Sequence, residues 1–171
     1  MYKRILVPLD GSRQSEEVLT LVCTLAEVSQ TDIVLLRVAE YPYTLYSSCY
    51  EYPPSDPDLA KIIQNKKTDI YLEVKNYLER VAVTLAIAGV KVFAEVCEGP
   101  VVEAILASTD RLHIDLIAMS TCGQGKCNQC MMGSIADRIL HEAPVPVILI
   151  RLTPCPFIPG HSSMQHVPLF V

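Results

Sequence analysis

The chain has 171 residues, a length that suits one domain with a sizeable core. Half of the residues are hydrophobic, yet no apolar run approaches the ~20 residues of a membrane helix, and a net charge of −5 without a Lys/Arg cluster argues against a nucleic-acid surface. Seven cysteines follow a start, Met1-Tyr2-Lys3-Arg4, that leads into a short strand rather than a signal peptide, so a cytoplasmic protein without a disulfide framework is expected.

Residues 3 to 8 form a short apolar run that ends at Pro8. Residues 13 to 28 carry Val18, Leu19, Val22, Leu25 and Ala26 at helical spacing, with Ser12 as N-cap. Residues 32 to 39 predict a second strand. Residues 41 to 58 hold five tyrosines and four prolines without periodicity and read as a loop. Residues 58 to 88 predict a long helix whose inner face is Ile70, Val74, Leu78, Val81 and Leu85, stopped by Gly89. A third strand over 90 to 97 precedes a helix over 100 to 111, with Pro100 in its first turn. The fourth strand covers 114 to 119, the last helix 133 to 142 and the fifth strand 145 to 151. Near-continuous apolar strands joined by crossover helices imply a parallel sheet covered on both faces, a three-layer α/β sandwich. The proline-rich segment from residue 153 to 171 reads as a tail outside a domain of residues 1 to 152.

In such a sheet, ligands bind outside the carboxyl ends of the strands, where the strand order reverses. Two segments meet that description. Asp10 lies just past the first strand, although an Asp before Gly11 is also a common turn pair. Ser120-Thr121-Cys122-Gly123 ends the fourth strand, and Gly133-Ser134-Ile135 opens the last helix after a nine-residue spacer, Gln124 to Met132. Glycine lets a backbone approach a ligand, and the free N–H groups of a helix start attract phosphate. A turn glycine and a capping serine would give the same letters. Neither a Walker A loop nor a complete GxGxxG is present.

The spacing of Gly123, Gly133 and Ser134, together with Lys3-Arg4-Ile5-Leu6-Val7-Pro8-Leu9-Asp10-Gly11-Ser12, resembles the universal stress protein family over residues 2 to 151. The nucleotide-binding branch of that family carries G-x2-G-x9-G-[S/T] after its fourth strand, and Ser120 stands here in the place of the first glycine. The resemblance implies a five-stranded parallel sheet of the adenine-nucleotide alpha-hydrolase-like, Rossmann-like type. It implies ATP with Mg²⁺ as ligand. Pro8, Leu9, Val38 and Met119 would surround the adenine, Asp10 would accept from the ribose, and Ser120, Gly123, Gly133, Ser134 and Ile135 would hold the phosphates. It also implies a homodimer through the fifth strand and a regulatory role, with slow ATP hydrolysis at most. Taken singly, Val38 and Met119 are ordinary strand residues.

Two other readings stay open. One is a dimeric interaction module that binds no nucleotide. The other is a thiol redox or metal sensor built on Cys122, Cys127 and Cys130, whose C-x4-C-x2-C spacing includes a CxxC pair just before a helix start that would favour thiolate. Cys23 and Cys97 read as small core residues.

Overall fold

Short apolar runs bounded by Gly, Pro and Asp form the strands, and runs with a 3.6-residue period form the helices that cover them. The computed structural model describes residues 2–42, 45, 54–87, 89–121 and 132–151. Its elements alternate: β1 (Arg4–Pro8), α1 (Arg13–Glu16), α2 (Val18–Ser29), β2 (Asp32–Ala39), α3 (Pro57–Ile87), β3 (Val92–Glu98), α4 (Val101–Arg111), β4 (Leu116–Ser120), α5 (Ser134–Glu142) and β5 (Val147–Ile150). All five strands are parallel, in the order β3-β2-β1-β4-β5. The chain winds outward from β1 in one direction to β3, then returns to the other side for β4 and β5. The reversal falls between β1 and β4.

Because side chains alternate across a strand, the sheet feeds two cores. Ile5, Val7, Ile33, Leu35, Leu116 and Ala118 face α2 and α3, meeting Val18, Val22, Leu78 and Leu85. Leu6, Val34, Leu36, Ile117 and Met119 face α4 and α5, meeting Val102, Ile105, Ala136 and Ile139. Leu6, Leu35, Leu78, Ile117 and Ile139 are fully buried. Each contributes roughly 1.5–3 kcal/mol by leaving water, before the cost of ordering the chain.

Where the elements differ from the sequence reading, local chemistry accounts for most of it. Pro100 is the N-cap of α4 rather than a residue of its first turn; its extended backbone (φ −63°, ψ 134°) fits both the ring and the cap. The first helix is divided at Glu17, which keeps helical angles, and its N-cap is Ser12, whose Oγ accepts from the Ser15 N–H at 3.1 Å. The long helix buries only Val74, Leu78 and Leu85, while Ile70 and Val81 are half-buried. No residue between Pro57 and Glu73 is buried, so the first half of this helix runs past the sheet. Gly89, at φ +84°, turns the chain out of it.

The two sheet edges differ in chemistry. On β3, Glu95 and Glu98 interrupt the apolar residues, and Lys91 and Arg4 stand over the exposed Phe93 ring at 5.0 and 5.8 Å. Charges of this kind blunt an edge against pairing. On β5 the four residues Val147-Ile148-Leu149-Ile150 are all apolar and all half-buried.

Candidate functional site

The carboxyl ends of β1 and β4 lie side by side at the reversal point, and two pieces of chain are organised there. The first is the turn from Leu9 to Glu16. Leu9 continues the pairing of β1 by donating its N–H to the Leu36 carbonyl at 2.8 Å. Asp10 Oδ1 then accepts the Ser12 N–H at 2.9 Å, which folds the chain back into α1. Ser15, buried beneath, receives the Asp10 N–H on its Oγ at 3.4 Å and donates to the Ser12 carbonyl at 2.8 Å. Gly11 sits between them at φ +83°, a conformation that favours glycine.

The second piece joins β4 to α5. Thr121 N–H donates to the Ile150 carbonyl at 3.0 Å, and its own carbonyl accepts the Gly133 N–H at 2.8 Å. These bonds place the start of α5 directly after the end of β4. Gly133 is the N-cap, and among the described residues no side chain caps the helix. The N–H groups of Ser134, Ile135 and Ala136 therefore form the positive end of a nine-residue helix at this edge. Glycine suits this closeness: a Cβ there would stand 3.2 Å from the Thr121 carbonyl oxygen, a contact tight enough that one of the two must shift slightly.

The sequence-predicted residues divide among these pieces. Asp10 and Ser120 flank the reversal point, each half-buried, and Gly133, Ser134 and Ile135 form the helix start beside Ser120. Val38 and Met119, on the two strands that flank β1, are both buried in the core that faces α4 and α5. Leu9 separates from them. Its side chain lies in the opposite core with Val18 and Leu78, and its N–H is taken by Leu36, so its carbonyl is what it can offer a ligand. Pro8 is the last residue of β1 and half-buried. Gly123 and the three cysteines at 122, 127 and 130 lie outside the described residues, as does the proline-rich tail. Among the described residues no cluster of three His, Cys, Asp or Glu side chains could hold a metal, and no helix is long and apolar enough to cross a membrane.

The family profile described as the Universal stress protein family matches residues 1–151. The chain belongs to this family. The universal stress protein MJ0531 of Methanocaldococcus jannaschii is 23% identical over 154 residues, covering 88% of this chain and 83% of its own. Among solved structures, MJ0577 of the same organism superposes with a TM-score of 0.72 at 23% identity, covering 91% of this chain and 99% of its own. A universal stress protein from Archaeoglobus fulgidus, solved in complex with dAMP, superposes with a TM-score of 0.56 at 16% identity, covering 88% of this chain and 98% of its own. The fold of this universal stress protein is the one that the sequence resemblance implied, a single five-stranded parallel sheet between two helical layers.

A third group of residues at this edge was not singled out in the sequence. Arg37, near the end of β2, faces α3 rather than α4 and lies over the Tyr77 ring at 4.7 Å. Tyr77 donates its hydroxyl to Glu16 Oε1 at 2.8 Å. Burial, and after it the Glu16 carboxylate, push the Tyr77 phenol above its ordinary range, so it stays protonated and remains a donor. The visible signal was a lone arginine inside the apolar run Asp32–Ala39.

Proposed function

We propose that this universal stress protein binds adenine nucleotide, with ATP carrying Mg²⁺ as the first candidate, and acts as a regulatory binding protein. The observation that carries this reading is the Gly133 N–H bond to Thr121. It sets the N-terminus of α5 against the end of β4, one strand away from the Asp10 turn. A nucleotide laid across the reversal point would meet phosphate donors from Ser134 and Ile135 at one end and a carboxylate at the other. Val38 and Met119 would form the apolar floor beneath the base, and the Leu9 carbonyl would face its edge. Ser120 replaces the first glycine of the nucleotide-binding pattern with another small residue and adds a hydroxyl. Mg²⁺ enters on the phosphates rather than through a cage of protein carboxylates. The dAMP complex of a relative with this fold supports an adenine ligand. Titration calorimetry with ATP, ADP and AMP tests the reading: heat at micromolar to millimolar ligand is expected, and no heat with millimolar ATP contradicts it.

The same reading includes a homodimer through β5, supported by the uncharged edge of that strand. The Ile117 N–H reaches the Pro146 carbonyl and the Thr121 N–H the Ile150 carbonyl, both at 3.0 Å. Even-numbered residues of β5 thus point their backbone groups at β4, and Val147 and Leu149 point theirs outward. Pro146, at the strand start, gives up no outward donor. Light scattering should give the mass of a dimer for the wild-type protein at micromolar concentration and of a monomer for Leu149→Pro, which removes an outward N–H without touching the ladder to β4. A monomeric wild-type protein would overturn the dimer.

A further inference from the structure

A charged residue occupies a strand position whose neighbours on the same face, Ile33 and Leu35, are core residues. Arg37 is held there by two contacts. One is the Tyr77 ring, 4.7 Å from the guanidinium carbon. The other is the bare backbone of Gly11: a Cβ added at Gly11 would fall 2.6 Å from Nη1, 2.8 Å from Cζ and 2.9 Å from Nη2 of Arg37. The guanidinium fills the space that any other residue at position 11 would use. Tyr77 in turn donates to Glu16 on α1, the helix capped by Ser12. Gly11, Arg37, Tyr77 and Glu16 form a continuous chain of contacts that leaves the turn at one end and rejoins it at the other. Inside that span, the Ser12 N–H holds Asp10 Oδ1.

We propose that Arg37 is a positioning residue of the nucleotide site, fixing the Asp10–Ser12 turn against α3 so that the Asp10 carboxylate is oriented toward the ribose hydroxyls. This rests on the nucleotide reading above. The planar guanidinium matters more than its charge, because it must lie on a ring and a backbone together, and a lysine ammonium cannot do so. Arg37 does not touch the ligand in this scheme, and its effect passes through Asp10.

The test compares ATP with 2′,3′-dideoxy-ATP, which lacks the hydroxyls that Asp10 would accept. Wild-type protein should bind ATP at least about tenfold more tightly than the dideoxy nucleotide, the value of one charge-assisted hydrogen bond. Arg37→Met should bring that preference to within roughly threefold while affinity for the dideoxy nucleotide changes by less than about twofold. Arg37→Lys should behave like Arg37→Met. Tyr77→Phe, which keeps the ring but loses the bond to Glu16, should give an intermediate preference. Arg37→Met that loses affinity for both nucleotides equally, or keeps the wild-type preference, would overturn the positioning role and leave the nucleotide site standing. Wild-type protein that binds both nucleotides equally would overturn the ribose contact and the positioning role together. Wild-type protein that binds neither would overturn the nucleotide reading and with it this proposal.

Discussion

Gly133→Val is expected to weaken ATP binding by about 100-fold or more while the protein keeps its fold. Gly133 has φ −65° and ψ 148°, angles that valine adopts readily, so the substitution introduces no backbone strain. The conflict is local. A Cβ at this position stands 3.2 Å from the Thr121 carbonyl oxygen, the acceptor of the Gly133 N–H. Contacts this tight force the neighbour to give way, and valine adds two methyl groups beyond the Cβ. The helix start then moves away from the end of β4, or the methyl groups occupy the approach to the N–H groups of Ser134 and Ile135. Either outcome removes several phosphate hydrogen bonds together, so a loss of about 100-fold or more is expected. The melting temperature should fall by only a few degrees, because the substitution adds no atom to either core and the shift is confined to the first turn of α5. Gly133→Ala should show a smaller loss. ATP affinity of Gly133→Val within a factor of two of wild type would remove the helix start from the site.

Asp10→Ala should lower ATP affinity by ~1.5–3 kcal/mol, or about 10- to 150-fold, the worth of a hydrogen bond to a charged group. The aspartate has a second task, since its Oδ1 accepts the Ser12 N–H at 2.9 Å and shapes the turn. Asp10→Asn separates the two. An asparagine keeps the acceptor for Ser12 but loses the charge and exchanges the second acceptor oxygen for an NH2 donor, so it should preserve thermal stability and lose affinity by no more than the alanine variant. If Asp10→Asn and Asp10→Ala bind ATP as the wild type does, the carboxylate has no part in recognition.

The fold was legible because its strands are short apolar runs with clear punctuation. Pro8, Gly89 and Pro100 each stand within two residues of an element end. The boundary of β3 was less legible, because Val90 is buried ahead of the strand and Val92 begins it. Nor did periodicity separate the outer half of the long helix from the inner half, since Leu59 and Ile62 carry the same apolar signal as Val74 and Leu78 but lie past the sheet and are exposed. The placement of Asp10 just past β1, and of Gly133 and Ser134 at the start of the last helix, was legible from position and spacing. The division of Leu9 from Val38 and Met119 was not, because which face a strand-end residue takes depends on register. The contacts among Gly11, Arg37 and Tyr77 join a turn, a strand and a helix far apart in the chain, and only the parallel sheet brings them together.

The proposed site lays an adenine nucleotide across the carboxyl ends of β1 and β4. An amide ¹⁵N–¹H titration of the full chain with ATP and Mg²⁺ tests both binding and place in one measurement. Saturable shifts are expected at Asp10, Gly11, Ser120, Gly133, Ser134 and Ile135. No shifts are expected at Lys3, Lys91 and Asp115, at the opposite ends of the strands. An unchanged spectrum at millimolar ATP, or shifts confined to residues away from the β1 and β4 ends, would contradict this site.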